Sequence, residues 1–289
     1  MPTVTRQTNT VKNAPKVSAN GAVSAWDLAD KMNALIYGES GTGKTTLWAT
    51  FPGPILALIC SGGSRPGELR SINTPEYRKK INPVIIDGPE TYREQLGRSG
   101  DYATVVLDHA GGFSDLTLSK EIMMLDEILT AKYRQAGKGE SWSVVSQQQY
   151  GQLAILLKEH FRTLLDLDAN VVIVAQERIF KGKEETGVAS DVLRPMVGAA
   201  LTPSVAGWLN PACDYVLQTF KRPKMVKVKG EIGGQMMEME ERGKGIEYCL
   251  RTEPHETFMT KFRVPRGTKL PDVIVDPTYD KIAKIIKGG

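Results

Sequence analysis

Cysteine and histidine are scarce in this 289-residue chain, with three of each. Cys60, Cys213 and Cys249 stand far apart and form no C-x-x-C pair, which argues against a disulfide framework or a thiolate zinc site and suits a reducing cytoplasm. His109, His160 and His255 likewise lack the spacing of metal ligands. No apolar run approaches the ~18 residues of a membrane-spanning helix. The first residues lack the apolar core of a signal peptide, and there is no internal repeat. Residues 1–24 contain no acid. Arg6, Lys12 and Lys16 lie there among Thr, Asn, Ser and Ala, the composition of a disordered tail or, alternatively, of a weakly basic arm toward nucleic acid or a neighbouring subunit.

What is present suffices for an ordinary core: 41% of residues are apolar and 24% charged. The net charge of +4 permits nucleic acid as a partner without demanding it. One stretch organises the rest. Gly38-Glu39-Ser40-Gly41-Thr42-Gly43-Lys44-Thr45-Thr46 fits G-x-x-x-x-G-K-[ST], the phosphate-binding P-loop. Ala34 to Tyr37 before it reads as a buried strand, and Thr46 to Thr50 after it as the start of a helix. In that context the glycines let the backbone wrap a phosphate chain while free N–H groups turn toward it. Gly38, Ser40, Gly41, Thr42, Gly43, Lys44, Thr45 and Thr46 are thus the expected nucleotide contacts. Lys44 is expected on the β- and γ-phosphates and the Thr45 hydroxyl on Mg²⁺.

Further along, Pro54 to Ile59 is a continuous apolar run, as expected of a strand buried on both faces. Val84 to Asp87 reads as a strand and Glu90 to Leu96 as a helix. Ala103 to Asp108 is an apolar strand ending in an acid, the Walker B form, which places the Asp108 carboxylate beside Thr45 on one metal. Asp115 to Leu129 and Gln147 to Leu167 have helical periodicity. Between them, residues 130–142 carry three bases, one acid and two aromatics, so Lys132, Arg134, Lys138 and Trp142 are candidates for single-stranded DNA, with a solvated loop as the alternative. Asn170 to Arg178 is another buried strand, with the polar Gln176 near its tip. A long loop from Arg178 to about Leu201 holds Lys181 and Lys183, also candidate DNA contacts. From Asp214 on the texture changes to hairpin-style strands. Met225 to Lys229 and Met237 to Glu240 alternate around Gly230 to Gly234, which predicts a charged hairpin, an insertion over about 221–244. Residues 245–250 and 257–264 read as strands and 277–287 as a closing helix.

The order of these features, with Arg194-Pro195-Met196-Val197-Gly198 and Lys261-Phe262-Arg263, resembles the RecA-like P-loop ATPases of bacteriophages, a group associated with single-strand annealing and recombination and labelled as phage AAA-type nucleotide-binding proteins. The resemblance runs over roughly residues 32–287. It implies an α/β fold with a RecA-like core: a mainly parallel central sheet flanked by helices, followed by C-terminal antiparallel strands. That makes one ATPase domain over 25–289 after the 1–24 tail. It implies ATP and Mg²⁺ as ligands, single-stranded DNA as the polymer bound, a ring or filament of identical subunits, a single-strand-binding protein as a further partner, and a location in the cytoplasm of a host, away from membranes. Gln176 matches the amide that links the γ-phosphate to a DNA-binding loop. Lys261 and Arg263 match basic residues that reach a neighbour's ATP.

One departure stands out. RecA-like ATPases commonly carry a glutamate at the tip of the strand after the P-loop helix, where it activates the attacking water. Here the tip reads Ile59-Cys60-Ser61-Gly62, and no carboxylate follows until Glu68. Glu68, Glu39, His109 and Glu177 are the groups that could take its place, and slow or DNA-dependent turnover is expected. A nucleotide-dependent switch with little turnover is the alternative reading. A P-loop phosphotransferase is another, disfavoured by the lack of a compact arginine cluster for a lid.

Overall fold

The computed structural model describes residues 31–60, 66–123, 146–180, 195–232 and 235–288. The expected tail over 1–24, the residues 130–142 and the Lys181–Arg194 part of the long loop lie outside these. Eight strands form the main path of one sheet, in the order β10-β8-β7-β1-β5-β4-β2-β3. These are β1 (Asn33–Gly38), β2 (Ile55–Ile59), β3 (Ile81–Ile85), β4 (Thr104–Asp108), β5 (Asn170–Phe180), β7 (Tyr215–Ile232), β8 (Gln235–Arg251) and β10 (Val273–Val275). Two shorter strands lie off this path: β6 (Met196–Ala199) pairs with β5, and β9 (Lys261–Phe262) with β7. The pairings from β7 through β1, β5, β4 and β2 to β3 are parallel, and those of β8 and β10 antiparallel. The mainly parallel sheet with C-terminal antiparallel strands is the architecture expected.

Helices cover both faces. On one face α1 (Lys44–Ala49) and the C-terminal α7 (Tyr279–Ile286) pack over Ala34, Ile36, Ile55, Ala57 and Ile59. On the other lie α3 (Pro89–Gly97), α4 (Ala110–Thr117), α5 (Gln147–Leu165) and α6 (Pro203–Ala212), over Leu35, Tyr37, Leu56, Leu58 and Val105. Alternate residues of one strand thus feed two cores, which is why β2 is apolar at every position. The helix α5 starts where the sequence predicts. Ser146 caps it, accepting from Gln149 N while the Gln149 side chain accepts from Ser146 N.

Several expectations shift. The strand expected at 84–87 begins at Ile81 and contains Pro83. β3 is the last strand of the sheet, and there a missing N–H costs no ladder bond. A further helix, α2 (Pro75–Lys80), precedes it, capped by Thr74 and with proline in its first turn. The strand expected over 257–264 reduces to β9. Its first part instead exchanges two backbone bonds with Val197 of β6, after which the chain turns to the start of β7. The long loop after Arg178 is shorter than expected, because β5 runs on to Phe180 and pairs with β6 as an antiparallel arm. The charged hairpin belongs to the two longest strands, β7 and β8, whose register sets Lys227 opposite Glu240 and Lys229 opposite Glu238. Parallel register brings Gly38 beside Gln176 and sets Ile59 beside Asp108, so the C-terminal ends of β1, β5, β4 and β2 meet at one edge.

Candidate nucleotide site

At that edge lies a cavity of about 930 Å³, bounded by Ser40 to Leu47 of the P-loop and α1, by Asp108 and His109, and by Gln176. The loop needs glycine for two separate reasons. At Gly38 a Cβ would sit 2.2 Å from the Thr219 carbonyl oxygen of β7, so no side chain fits. Gly43, with φ of 88°, occupies the left-handed region just before α1, and the ring of Tyr248 lies against it. Thr42 is fastened to the same neighbour strand, its hydroxyl 2.7 Å from that of Thr219.

Lys44 is buried. Its ammonium donates to the carbonyls of Gly38 (2.8 Å) and Glu39 (2.6 Å) and to Gln176 Oε1 (3.3 Å). Burial holds it below the usual lysine range, against the pull of Asp108, Glu177 and Glu39. Asp108 is 5% exposed, and two donors from α1 converge on its Oδ2: Thr45 Oγ1 at 3.3 Å and Trp48 Nε1 at 2.8 Å. Burial pushes the Asp108 carboxyl up, and the neighbouring Glu68 adds to this. The bonds from Trp48 and Thr45 and the proximity of His109 oppose it. The Asp108–His109 peptide is cis. Gln176 has two attachments: its side chain meets Lys44, while its carbonyl accepts from Ala200 N just beyond β6 at 2.7 Å.

The four groups considered for water activation separate clearly. Glu68 stands on the 3-10 turn Gly67–Ile72 and lines the cavity with Asp108 and His109; its Oε1 is buried and has no hydrogen-bond partner among the described residues. His109 also lines the cavity, but its Nδ1 caps α4, accepting from Gly112 N at 3.0 Å. Glu39 is exposed and does not line the cavity. Glu177 points to Gln218, with Oε2 3.5 Å from its Nε2.

Lys261 and Arg263 lie at the other end of the sheet, where β9 pairs with Tyr215 and Val216 at the start of β7. Lys261 Nζ donates to the carbonyls of Pro211 (2.9 Å) and Cys213 (2.5 Å) at the end of α6, and Arg263 pairs with Asp214 at 2.6 Å. Lys132, Arg134, Lys138, Trp142, Lys181 and Lys183 lie outside the described residues.

Sequence reasoning missed the far wall of the cavity, where Tyr248, Tyr77, Arg70 and the segment Asp276 to Thr278 close it. They come from four separate elements, and no motif joins them. It also missed Trp48, whose spacing from Thr45 was readable but whose partner was not.

Thr45 and Asp108 supply a hydroxyl and a carboxylate, hard oxygen donors of the kind Mg²⁺ takes a few at a time alongside phosphates and water. Among the described residues no group of three or more His, Cys, Asp or Glu gathers into a denser metal site. The residues present therefore fit Mg²⁺ bound together with a nucleotide. No described helix is long and apolar enough to cross a membrane.

No curated protein matches the chain. Among solved structures, a KaiC-like protein of Pyrococcus horikoshii OT3 aligns at 11% identity over 85% of this chain and 89% of its own, with a TM-score of 0.38. The flagellar accessory protein FlaH of Methanocaldococcus jannaschii aligns at 11% identity over 86% of each chain, also with a TM-score of 0.38. A family described as an AAA domain matches residues 30–264, which takes in every strand of the parallel sheet and every P-loop residue. The chain belongs to that AAA domain family, as a P-loop ATPase domain.

Proposed function

We propose that the protein hydrolyses ATP in this cavity with Glu68 as the general base, and that hydrolysis is coupled to single-stranded DNA. The observation that carries the catalytic part is Glu68 itself, whose Oε1 is buried without a partner among the described residues on the wall that Asp108 and His109 share. A buried acceptor left unpaired costs stability unless a ligand or water completes it.

In this reading the P-loop backbone and Lys44 hold the phosphate chain, and Thr45 and Asp108 hold Mg²⁺. When bound, Mg²⁺ neutralises charge on the β- and γ-phosphate oxygens. Glu68 orients a water in line with the γ-phosphorus and accepts its proton. The water oxygen bonds to phosphorus as the bond to the ADP oxygen breaks. Tyr248 and the polar groups of Asp276 to Thr278 offer a flat ring and hydrogen-bonding partners for base and sugar. Lys44 already touches Gln176, so a γ-phosphate drawing Lys44 away changes what the Gln176 amide bonds to.

The DNA part rests on the resemblance to phage recombination and annealing ATPases and on the course of β5. That strand carries Gln176 directly into the β5–β6 arm, whose connection holds Lys181 and Lys183. Assembly into a ring or filament belongs to the same reading, as does a role in phage recombination, annealing or replication.

The test is steady-state ATP hydrolysis with and without single-stranded DNA. Lys44→Ala is expected to abolish turnover. Glu68→Gln is expected to lower kcat by roughly 10²–10⁴-fold while leaving nucleotide affinity unchanged. Wild-type turnover in Glu68→Gln would assign the base elsewhere, and a failure to bind single-stranded DNA with or without ATP would remove the DNA part.

A further inference from the structure

Trp48 is fully buried, one helical turn beyond Thr45, and its indole N–H donates to Asp108 Oδ2 at 2.8 Å. Thr45 reaches the same oxygen from a longer distance, 3.3 Å. The surroundings of Trp48 do not call for a polar group. It belongs to the apolar core of Ala34, Ile36, Phe51, Val106 and Val172. A tryptophan there brings an N–H that has to be satisfied, and the partner it meets is the Asp108 carboxylate. An indole N–H is a donor only, so the bond runs one way whatever else binds. The terminal torsion of an aspartate is intrinsically broad, and nothing in the residue itself decides which oxygen faces the cavity.

We propose that Trp48 is a positioning residue for the metal: it clamps Oδ2 of Asp108 from within the core and so fixes the turn of the carboxylate next to the Thr45 hydroxyl, the two groups that would hold Mg²⁺. This rests on the reading of the cavity as an ATP·Mg²⁺ site. It adds that the P-loop helix sets both members of the metal pair, Thr45 directly and Asp108 through Trp48 one turn later. With an apolar side chain at this position, only the longer Thr45 bond among the described residues would hold that carboxylate oxygen.

The experiment compares ADP binding by calorimetry with Mg²⁺ and with chelator, in wild type and Trp48→Phe. The variant is expected to keep the metal-free ADP affinity and to need about 10–100-fold more Mg²⁺ for the metal-dependent gain, the usual loss when the group orienting a metal ligand is removed. If Trp48→Phe shows the wild-type Mg²⁺ dependence, or loses both affinities in parallel, the positioning role is overturned and Trp48 is core packing alone. A second measurement does not depend on that variant folding. Trp26→Phe, Trp142→Phe and Trp208→Phe together leave Trp48 as the one indole, whose N–H resonance is followed as Mg²⁺ is added at fixed ADP. It is expected to shift with the same midpoint as the affinity gain, and a resonance indifferent to Mg²⁺ overturns the proposal. Should the wild type bind no ADP at all, it is the ATP reading that fails, and the clamp with it. Wild-type binding with an unaltered variant removes the clamp alone.

Discussion

At the scale of the residue, Asp108 shows how a site can weaken the protein that carries it. Burial favours its neutral form, so the native state holds this proton more tightly than the unfolded chain does. Between the unfolded carboxylate range and the raised native value the folded state binds more protons, and stability therefore falls as pH rises through that window. Asp108→Asn keeps the shape and removes the charge. It is expected to leave the thermal midpoint at neutral pH equal to or above that of the wild type, with the gap closing as pH falls into the range where Asp108 is protonated. Thermal unfolding without Mg²⁺ at several pH values reads this directly, and a variant less stable at neutral pH than at acid pH, relative to wild type, contradicts it. Gly38 acts in the opposite direction. Gly38→Ala puts a methyl into the Thr219 carbonyl and is expected to cost about 1–3 kcal/mol of stability, measurable by urea unfolding.

At the scale of the element, β5 joins two functions. Its first half lies between β1 and β4 inside the parallel sheet, and its second half leaves that sheet to pair with β6. Gln176 sits at the changeover, with its side chain on Lys44 and its carbonyl on Ala200 N. Gln176→Ala removes the first link and keeps the second. It is expected to retain ATP binding and basal turnover within about threefold, less than the 10²-fold or more tied to a proton-transferring group, while losing stimulation by single-stranded DNA. Equal stimulation in variant and wild type would uncouple the arm from the site. The strand also shows how far periodicity reaches. The apolar run Val171 to Ala175 was legible as buried strand, because burial on both faces leaves few polar residues. Its extension over Ile179 and Phe180 and its pairing with β6 were not, because that pairing is a contact between separate segments with no signature in either one.

At the scale of the molecule, both faces of the sheet are closed by segments far apart in the chain. The last helix, α7, returns to the P-loop helix: Tyr279 N donates to Thr50 Oγ1, the Tyr279 and Phe51 rings lie 5.0 Å apart, and Ile282 is fully buried in the same core as Trp48. Ile282→Ala is expected to destabilise by about 2–5 kcal/mol. Because α7 supports the helix that carries Lys44 and Thr45, it is also expected to weaken ADP binding, and a variant with wild-type thermal stability would show that α7 merely lies on the surface. The sequence by itself determined the P-loop with its strand and helix and the apolar strand that ends in Asp108, because each is written in a local motif or a local run of apolar residues, whereas the parallel sheet followed from the family resemblance. It named Glu68 only by elimination, as the first carboxylate after an acid-free strand tip. Tertiary structure alone decided that Glu68 turns back to the cavity with its Oε1 unpaired among the described residues, that Tyr248 and Asp276 complete the far wall, and that Trp48 grips Asp108. Those are meetings of residues between about 30 and 230 positions apart, brought together by the register of an open parallel sheet covered on both faces, and such proximity leaves no trace in the order of the residues that achieve it.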